Sequence, residues 1–209
     1  MKTEVKIDWF KYENEAKADG YNIVCGIDEA GRGPLAGPVC AAAVILPDGC
    51  IIEGVNDSKK LTPARRELLS VKIAEVATAI GFCHIAPKDI DEMGMARAIR
   101  TAVAGAVADT GLEPDCVLMD GNPLGAVPNE RDVVKGDAKI ACIAAASIMA
   151  KVTRDEMMVE YDAEYPEYHL AESKGYASPE HIEAIRKHGL CPLHRVSFCG
   201  NFLQTERLF

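Results

Sequence analysis

Positive charge is scarce in this 209-residue sequence: 23 Lys and Arg face 32 Asp and Glu, a net charge of −9. Non-specific coating of nucleic acid by a cationic surface is thereby disfavoured, because that mode of binding depends on neutralising many phosphates. A local basic cleft around a metal-loaded acidic site is still compatible with the balance. Long hydrophobic runs are also missing. The longest mostly apolar stretch, residues 33–47, is too short for a bilayer span and contains Pro34, Pro38 and Pro47. Residues 1–20 are mixed in charge and lack the apolar centre of a signal peptide. These absences predict a cytoplasmic protein with no membrane partner. No CxxC pair occurs among the eight cysteines, and most of them sit in apolar stretches, so free buried thiols in a reducing compartment are expected. Internal repeats, low-complexity segments, a GxxxxGK[ST] phosphate loop and a GxSxG elbow are all absent.

What remains is ordinary globular composition, 48% hydrophobic and 26% charged, at the size of one domain. Residues 4–18 read as a short amphipathic helix carrying the only Trp. Residues 21–28 and 38–46 read as two strands of a hairpin joined by a Gly/Pro-rich turn. Thr62 has the character of an N-cap with Pro63 in the first helical position, opening a helix to about residue 78. A strand is expected over 80–85, then helix from 87 to about 108 in two pieces broken near Gly94. A buried strand over 115–119 and a short one at Val133–Val134 follow. A long Ala-rich helix is expected from Asp137 to about Glu164, and a last helix from about Ser178 to His188. This order predicts an α/β fold with a mixed sheet and packed helices.

Acidic residues mark the ends of these elements. Asp28 and Glu29 close an apolar strand, Asp120 follows the buried strand DCVLM, and Asp137 stands at the expected start of the long helix. Each alone has an ordinary explanation, as a solvated strand end or a first-turn charge. Together they are four carboxylates from three separate elements with no His or Cys companion. Sites in α/β sheets collect at strand ends, and such a set suits oxygen-preferring ions such as Mg²⁺ or Mn²⁺. Two such ions are the standard device for in-line attack on a phosphodiester. Between the acids lies Gly31-Arg32-Gly33, where backbone can approach a ligand and Arg32 can grip a phosphate. The third glycine of a dinucleotide fingerprint would come one residue late here, and a strand rather than a helix follows. Ser58, Lys59 and Lys60 share one polar loop. Lys174, Arg186, Lys187 and Arg195 outnumber the acids around them and predict a locally basic surface. Cys191 and His194 form one CxxH pair, too little for a zinc site, and Ser147 in the Ala-rich helix reads as close packing or a back-bond.

At these residues the sequence resembles bacterial ribonuclease HII. The resemblance is carried by residues 28–39 (DEAGRGPLAGPV), 56–61 (NDSKKL), Met119-Asp120-Gly121, Lys135-Gly136-Asp137, residues 144–155 (AAASIMAKVTRD), Lys174-Gly175-Tyr176 and His181, in the family's order over about 21–198. It implies a ribonuclease H-like fold, a mixed central sheet flanked by helices with a helical C-terminal extension. The organisation is then an N-terminal helical segment at 1–20, a catalytic core at 21–165 and an extension at 166–209, in one monomeric unit. It implies Mg²⁺- or Mn²⁺-dependent hydrolysis of RNA in RNA–DNA hybrids and incision 5′ to ribonucleotides in duplex DNA. Asp28, Glu29, Asp120 and Asp137 match the catalytic and metal-binding carboxylates. Gly31, Arg32 and Gly33 match the motif that reads the ribose 2′-hydroxyl, and Tyr176 the tyrosine that stacks at the RNA-to-DNA junction. Ser58, Lys59, Lys60 and Lys174 complete the expected substrate contacts. The family usually has His or Asn before Lys-Gly-Tyr, where Ser173 stands here, and Gly with an aromatic where His169–Leu170 stand. Residues 204–209 (QTERLF) resemble a short sliding-clamp-binding tail. The alternatives are the sister class ribonuclease HIII, which typically lacks Gly-Arg-Gly, and a non-catalytic hybrid-binding module, which would have lost one of the four acids.

Overall fold

The computed structural model describes residues 8–55, 58–121 and 124–203. Five strands form one mixed sheet in the order β3-β2-β1-β4-β5. They are β1 (Val24–Ala30), β2 (Val39–Ile45), β3 (Ala79–Ile85), β4 (Cys116–Asp120) and β5 (Glu130–Val133). β2 runs antiparallel to both β1 and β3, whereas β4 joins β1, and β5 joins β4, in parallel. The helices are α1 (Lys11–Ala18), α2 (Pro63–Val76), α3 (Pro87–Met93), α4 (Met95–Asp109), α5 (Ala141–Glu164), α6 (Leu170–Ser173), α7 (Pro179–His188) and α8 (Val196–Cys199).

Helices cover both faces, which explains why β2 is apolar throughout: VCAAAVI is buried at all seven positions. Val39, Ala41, Ala43 and Ile45 pack with Cys25 and Ile27 of β1 against the α4 stripe Ala98, Ile99, Ala102, Val103 and Ala106. Ala42 and Val44 face the other way, onto Ala145, Ala146, Ile148 and Met149 of α5, with Leu69 and Ile73 of α2. Gly26 permits the close crossing of α5 over β1, since a Cβ there would overlap the Cys142 backbone. A third cluster joins Leu35, Ala36 and Met158 to Tyr168, Leu170, Ala184, Ile185 and Cys199, binding the C-terminal segment to the loop after β1.

Several expected boundaries are met closely. Thr62 caps α2 by accepting from the Arg65 N–H, Ser178 caps α7 likewise from His181, and Gly94 separates α3 from α4 at φ 79°. Others move. Within the described residues the amphipathic segment is helical over Lys11–Ala18, and Trp9 precedes that helix, its carbonyl accepting the Ala141 N–H at 3.1 Å. The long helix does not begin at Asp137. Asp137 sits in a separate 3₁₀ turn, Gly136–Ala138, and α5 starts at Ala141 behind Ile140, which offers no side-chain cap. The missing cap comes from α1, where a Glu13 oxygen accepts the Cys142 N–H at 3.2 Å. A helix start lacking its own polar cap residue leaves backbone donors that a tertiary carboxylate can satisfy. Glu13→Ala is accordingly expected to cost about 1–2 kcal/mol. In a thermal melt followed by circular dichroism this appears as a drop of about 2–8 °C, from the usual ~2–4 °C per kcal/mol at this chain length. Glu13→Gln, which keeps an acceptor, is expected to lose less than half as much.

Candidate active site

Parallel pairing of β1 with β4 sets Ile27 opposite Met119. The next residues, Asp28 within β1 and Asp120 at the end of β4, therefore stand side by side on adjacent strands. Asp137 arrives from the turn after β5, and that turn is tied to Asp120 by the Gly136 N–H, 2.7 Å from Asp120 Oδ1. Asp28, Asp120 and Asp137 bring one carboxylate oxygen each to within 4.8 Å of one another. Asp28 and Asp137 are buried and Asp120 is half-buried. Burial, reinforced by the negative charge of Glu29 and, less, of Asp120, pushes the Asp28 carboxyl up to about 8. The Ser147 hydroxyl and the Glu29 N–H oppose that rise by donating to it. Concentrated, partly dehydrated carboxylate charge is unfavourable unless a cation neutralises it. An all-oxygen donor set of this kind fits a hard divalent ion.

Glu29 is not one of this trio, but its charge acts on Asp28 more strongly than that of Asp120. Its Oε1 accepts from Arg32 Nε at 2.5 Å. Ser147, read from sequence as a packing residue, has a polar task. Its Oγ lies 2.8 Å from Ser58 Oγ, so the two hydroxyls are hydrogen-bonded beside Asp28. Ser58 is thus buried and turned inward, in contrast to the outward substrate contact expected of it. Arg66 fixes its loop by donating to the Ser58 and Leu61 carbonyls at 2.9 and 2.6 Å. Lys60 is exposed beside it, while Asn56 and Asp57 lie outside the described residues.

The loop from Gly31 to Gly37 is held from behind by two arginines that are fully buried. Arg195 donates to the carbonyls of Gly31 (2.7 Å), Arg32 (3.2 Å), Pro34 (3.0 Å) and Gly37 (2.8 and 3.0 Å). Arg154 donates to Ala36, Pro38 and Lys174 at 3.2, 3.0 and 3.0 Å, so one guanidinium ties this loop to the turn that bears Tyr176. The same junction is closed by the Leu35 and Ala36 N–H groups, which both donate to the Gly175 carbonyl. Gly31 and Gly175 adopt φ of +99° and +79°, and a Cβ on either would strike Arg154 or the Ala36 carbonyl, so both positions require glycine. Tyr176 is 47% exposed, and its ring edge lies 3.7 Å from where a Cβ on Gly33 would stand.

Arg195 is therefore no part of a basic surface; its solvent exposure is nil, while Arg186 and Lys187 on α7 are exposed as expected. Lys174 is half-buried, its Nζ donating to the Asp155 carbonyl at 3.4 Å. The two departures at the junction turn have local answers. Ser173 Oγ accepts the Gly175 N–H at 3.2 Å, and His169 takes a left-handed φ of 52°, a conformation glycine adopts without strain. Leu170 fills the adjoining apolar cluster.

His181 and His194, both buried, form a directed relay. The Cys191 N–H donates to His194 Nδ1 at 3.1 Å, which places the His194 proton on Nε2. That proton faces His181 Nε2 at 3.2 Å, leaving the His181 proton on Nδ1, 2.8 Å from the Tyr176 carbonyl. Burial lowers both imidazoles, His194 to about 4, so the chain of neutral rings persists at neutral pH. The Cys191–His194 pair is thus committed to internal hydrogen bonds.

The residue order placed Arg195 on a basic surface and Ser147 in packing, and gave no sign of the histidine relay. A signal for Arg154 was available: it lies seven residues after Ser147 on an otherwise apolar helix face. For Arg195 no local signal exists.

The sequence matches the family profile described as Ribonuclease HII over residues 25–201. The ribonuclease HII of Ruminiclostridium cellulolyticum is 49% identical over 194 residues, covering 92% of this chain and 76% of that protein. The ribonuclease HII of Caldicellulosiruptor bescii is 46% identical, covering 94% and 96%. Among solved structures, the ribonuclease H2 of Pyrococcus horikoshii superposes with a TM-score of 0.73 at 29% identity, covering 84% of this chain and 93% of that one. The ribonuclease HII of Archaeoglobus fulgidus, solved as a complex with PCNA, superposes at 0.70 with 25% identity over 84% and 94%. No helix among the described residues is long and apolar enough to cross a membrane. Similarity of this depth along nearly the whole chain makes it a ribonuclease H hydrolase with activity on RNA–DNA hybrids, and the chain belongs to the ribonuclease HII family.

Proposed function

We propose that this enzyme, besides cutting the RNA strand of hybrids, incises duplex DNA 5′ to single embedded ribonucleotides, leaving 3′-hydroxyl and 5′-phosphate ends. The observation that carries the reading is the attachment of the Gly31–Gly33 loop to the Tyr176 turn, directly beyond the strand that ends in the carboxylate cluster. A ribose 2′-hydroxyl is the one group that distinguishes RNA from DNA at a single position. Backbone of Gly31, Arg32 and Gly33 would bind it, and the exposed face of Tyr176 would stack on the following sugar. Asp28, Asp120 and Asp137, with Glu29 alongside, would hold two Mg²⁺ or Mn²⁺ ions. When bound, such ions activate the attacking water and neutralise the leaving oxygen. Arg32 holds Glu29 in place through its Nε and keeps its remaining donors for phosphate. Lys59, Lys60 and Lys174 would grip the backbone without reading sequence. Ser58 acts through Ser147, orienting Asp28 and not touching substrate. All these groups come from one chain, in keeping with a monomer, and such activity suits ribonucleotide removal from replicated DNA.

The test is a labelled DNA duplex with one ribonucleotide, incubated with Mg²⁺, with Mn²⁺ or with EDTA, beside an all-DNA control. One metal-dependent nick 5′ to the ribonucleotide is the expected result, and cleavage of long hybrids only would refute the incision reading. Tyr176→Ala is expected to reduce single-ribonucleotide incision by about 10–100-fold, a stacked base or sugar contact being worth about 1–3 kcal/mol. Its effect on long hybrids should be under about threefold. The clamp-binding tail expected at 204–209 lies outside the described residues.

A further inference from the structure

We propose that Arg195, reached only through the C-terminal segment, is the positioning residue that makes the Gly31–Gly33 loop a hydrogen-bond donor toward the ribose. The proposal rests on the ribose-reading role given above to that loop. In a trans peptide the C=O of one residue and the N–H of the next point in opposite directions, and every peptide bond described is trans. Arg195 draws the carbonyls of Gly31 and Arg32 inward with hydrogen bonds of 2.7 and 3.2 Å. The N–H groups of Arg32 and Gly33 must therefore face away from Arg195. Neither donates to any described residue. The adjoining peptide shows the same geometry with a partner in place: the Pro34 carbonyl accepts from Arg195 at 3.0 Å, and the Leu35 N–H on the opposite side donates to the Gly175 carbonyl at 2.8 Å.

Four carbonyls around one guanidinium thus turn two consecutive amides outward, on the side where Gly33 meets the Tyr176 ring. Such a pair suits a hydroxyl oxygen or an anionic oxygen. The guanidinium needs its planar five-donor fork for this, which an ammonium does not supply. Among the described residues no carboxylate is hydrogen-bonded to it; the carbonyl dipoles compensate its charge. Arg195 is itself placed by the α8 cap, where Asp91 accepts from the N–H groups of Val196 (2.6 Å) and Ser197 (3.1 Å) and from the Ser197 hydroxyl.

Arg195→Lys in the full chain tests this, assayed at a temperature where circular dichroism shows it folded. On a duplex with one ribonucleotide, kcat is expected to fall by about 100-fold, the usual effect of displacing a positioned group by about 1 Å. KM should stay within about threefold, because affinity comes mainly from phosphate contacts. Mn²⁺ affinity measured by calorimetry should stay within about twofold, because the carboxylates are not touched. A purely structural role would lower the melting temperature and leave kcat of the folded enzyme unchanged; that result overturns the proposal, as does a parallel loss of Mn²⁺ affinity. Should Arg195→Lys not fold, Asp91→Ala decides, being at the surface: a fall in kcat of about three- to tenfold at constant KM supports the proposal, and wild-type kcat rejects it. If the wild-type enzyme leaves the ribonucleotide duplex uncut, the incision reading has failed. The positioning is then tested by NMR, where the Arg32 and Gly33 amide resonances must shift in whichever of the two variants folds, and unchanged resonances overturn it.

Discussion

Replacing Asp120 by Asn is expected to lower metal-dependent cleavage of the RNA strand by at least about a thousand-fold. Asp120 supplies one of three carboxylates whose oxygens lie within 4.8 Å of one another. Asparagine keeps an acceptor for the Gly136 N–H, now 2.7 Å from Oδ1, so the turn carrying Asp137 retains its anchor. What is lost is a full negative charge at the cation site. Electrostatic stabilisation by a bound ion amounts to several kcal/mol, and ~4 kcal/mol corresponds to about three decades in rate. Initial rates on a labelled RNA–DNA hybrid in Mg²⁺, with thermal melts of the same samples, make the comparison. The melting temperature should move by less than about 3 °C. Activity within tenfold of wild type would remove Asp120 from the site.

The second large effect concerns Asp28 in the absence of divalent ions. Its carboxyl is pushed from the ordinary 3.8 up to about 8, first by burial and then by the neighbouring Glu29. A raised carboxyl means that the folded chain binds a proton more tightly than the unfolded chain. Its contribution to stability is complete below about pH 4 and is lost as pH rises through about 8. In EDTA the wild-type protein should therefore lose melting temperature progressively between those limits. Mn²⁺ or Mg²⁺ should restore it at pH 8, because a cation takes over the role of the proton. Asp28→Asn can still receive the Ser147 hydroxyl and carries no charge to bury. It should melt at least about 3 °C above wild type in EDTA at pH 8, since each pKa unit is worth about 1.4 kcal/mol and each kcal/mol about 2–4 °C. It should also show a flatter pH profile, little response to divalent ions and no cleavage. A variant less stable than wild type under those conditions would contradict the burial argument.

These two experiments separate what the carboxylates do for function from what they cost the fold. The site is a place of stored electrostatic repulsion, and the scaffold around it holds the charges together. Two neutral hydroxyls in line, Ser58 to Ser147 to Asp28, do so on one side, and the Gly136 amide does so at Asp120.

Much of this was legible in residue order. Thr62-Pro63 and Ser178-Pro179 carry their helix starts in two residues each, because a cap bonds to an amide three positions away. The apolar runs of β1 and β2 revealed their burial, β1 being buried over its first five residues and β2 at all seven, because helices cover both faces of the sheet. The acidic strand ends stood out because charge next to a buried strand is costly. Asp137 was assigned to the long helix wrongly, for a related reason. The capping of α5 is supplied by Glu13, some 130 residues away, and no local pattern records a cap that comes from another helix.

The sequence by itself determined the strands and most helix limits, the acids at the strand ends and the loop of glycines, since each depends on interactions within a few residues. It also determined the family, through motifs kept in order along the chain. Only the tertiary structure decided which acids meet: parallel register joins Asp28 to Asp120, and the turn after β5 brings Asp137 to them. It alone decided that Arg195 lies inside, because a guanidinium leaves water only where several carbonyls converge on it, and those of Gly31, Arg32, Pro34 and Gly37 converge only when the C-terminal segment folds back on the loop after β1.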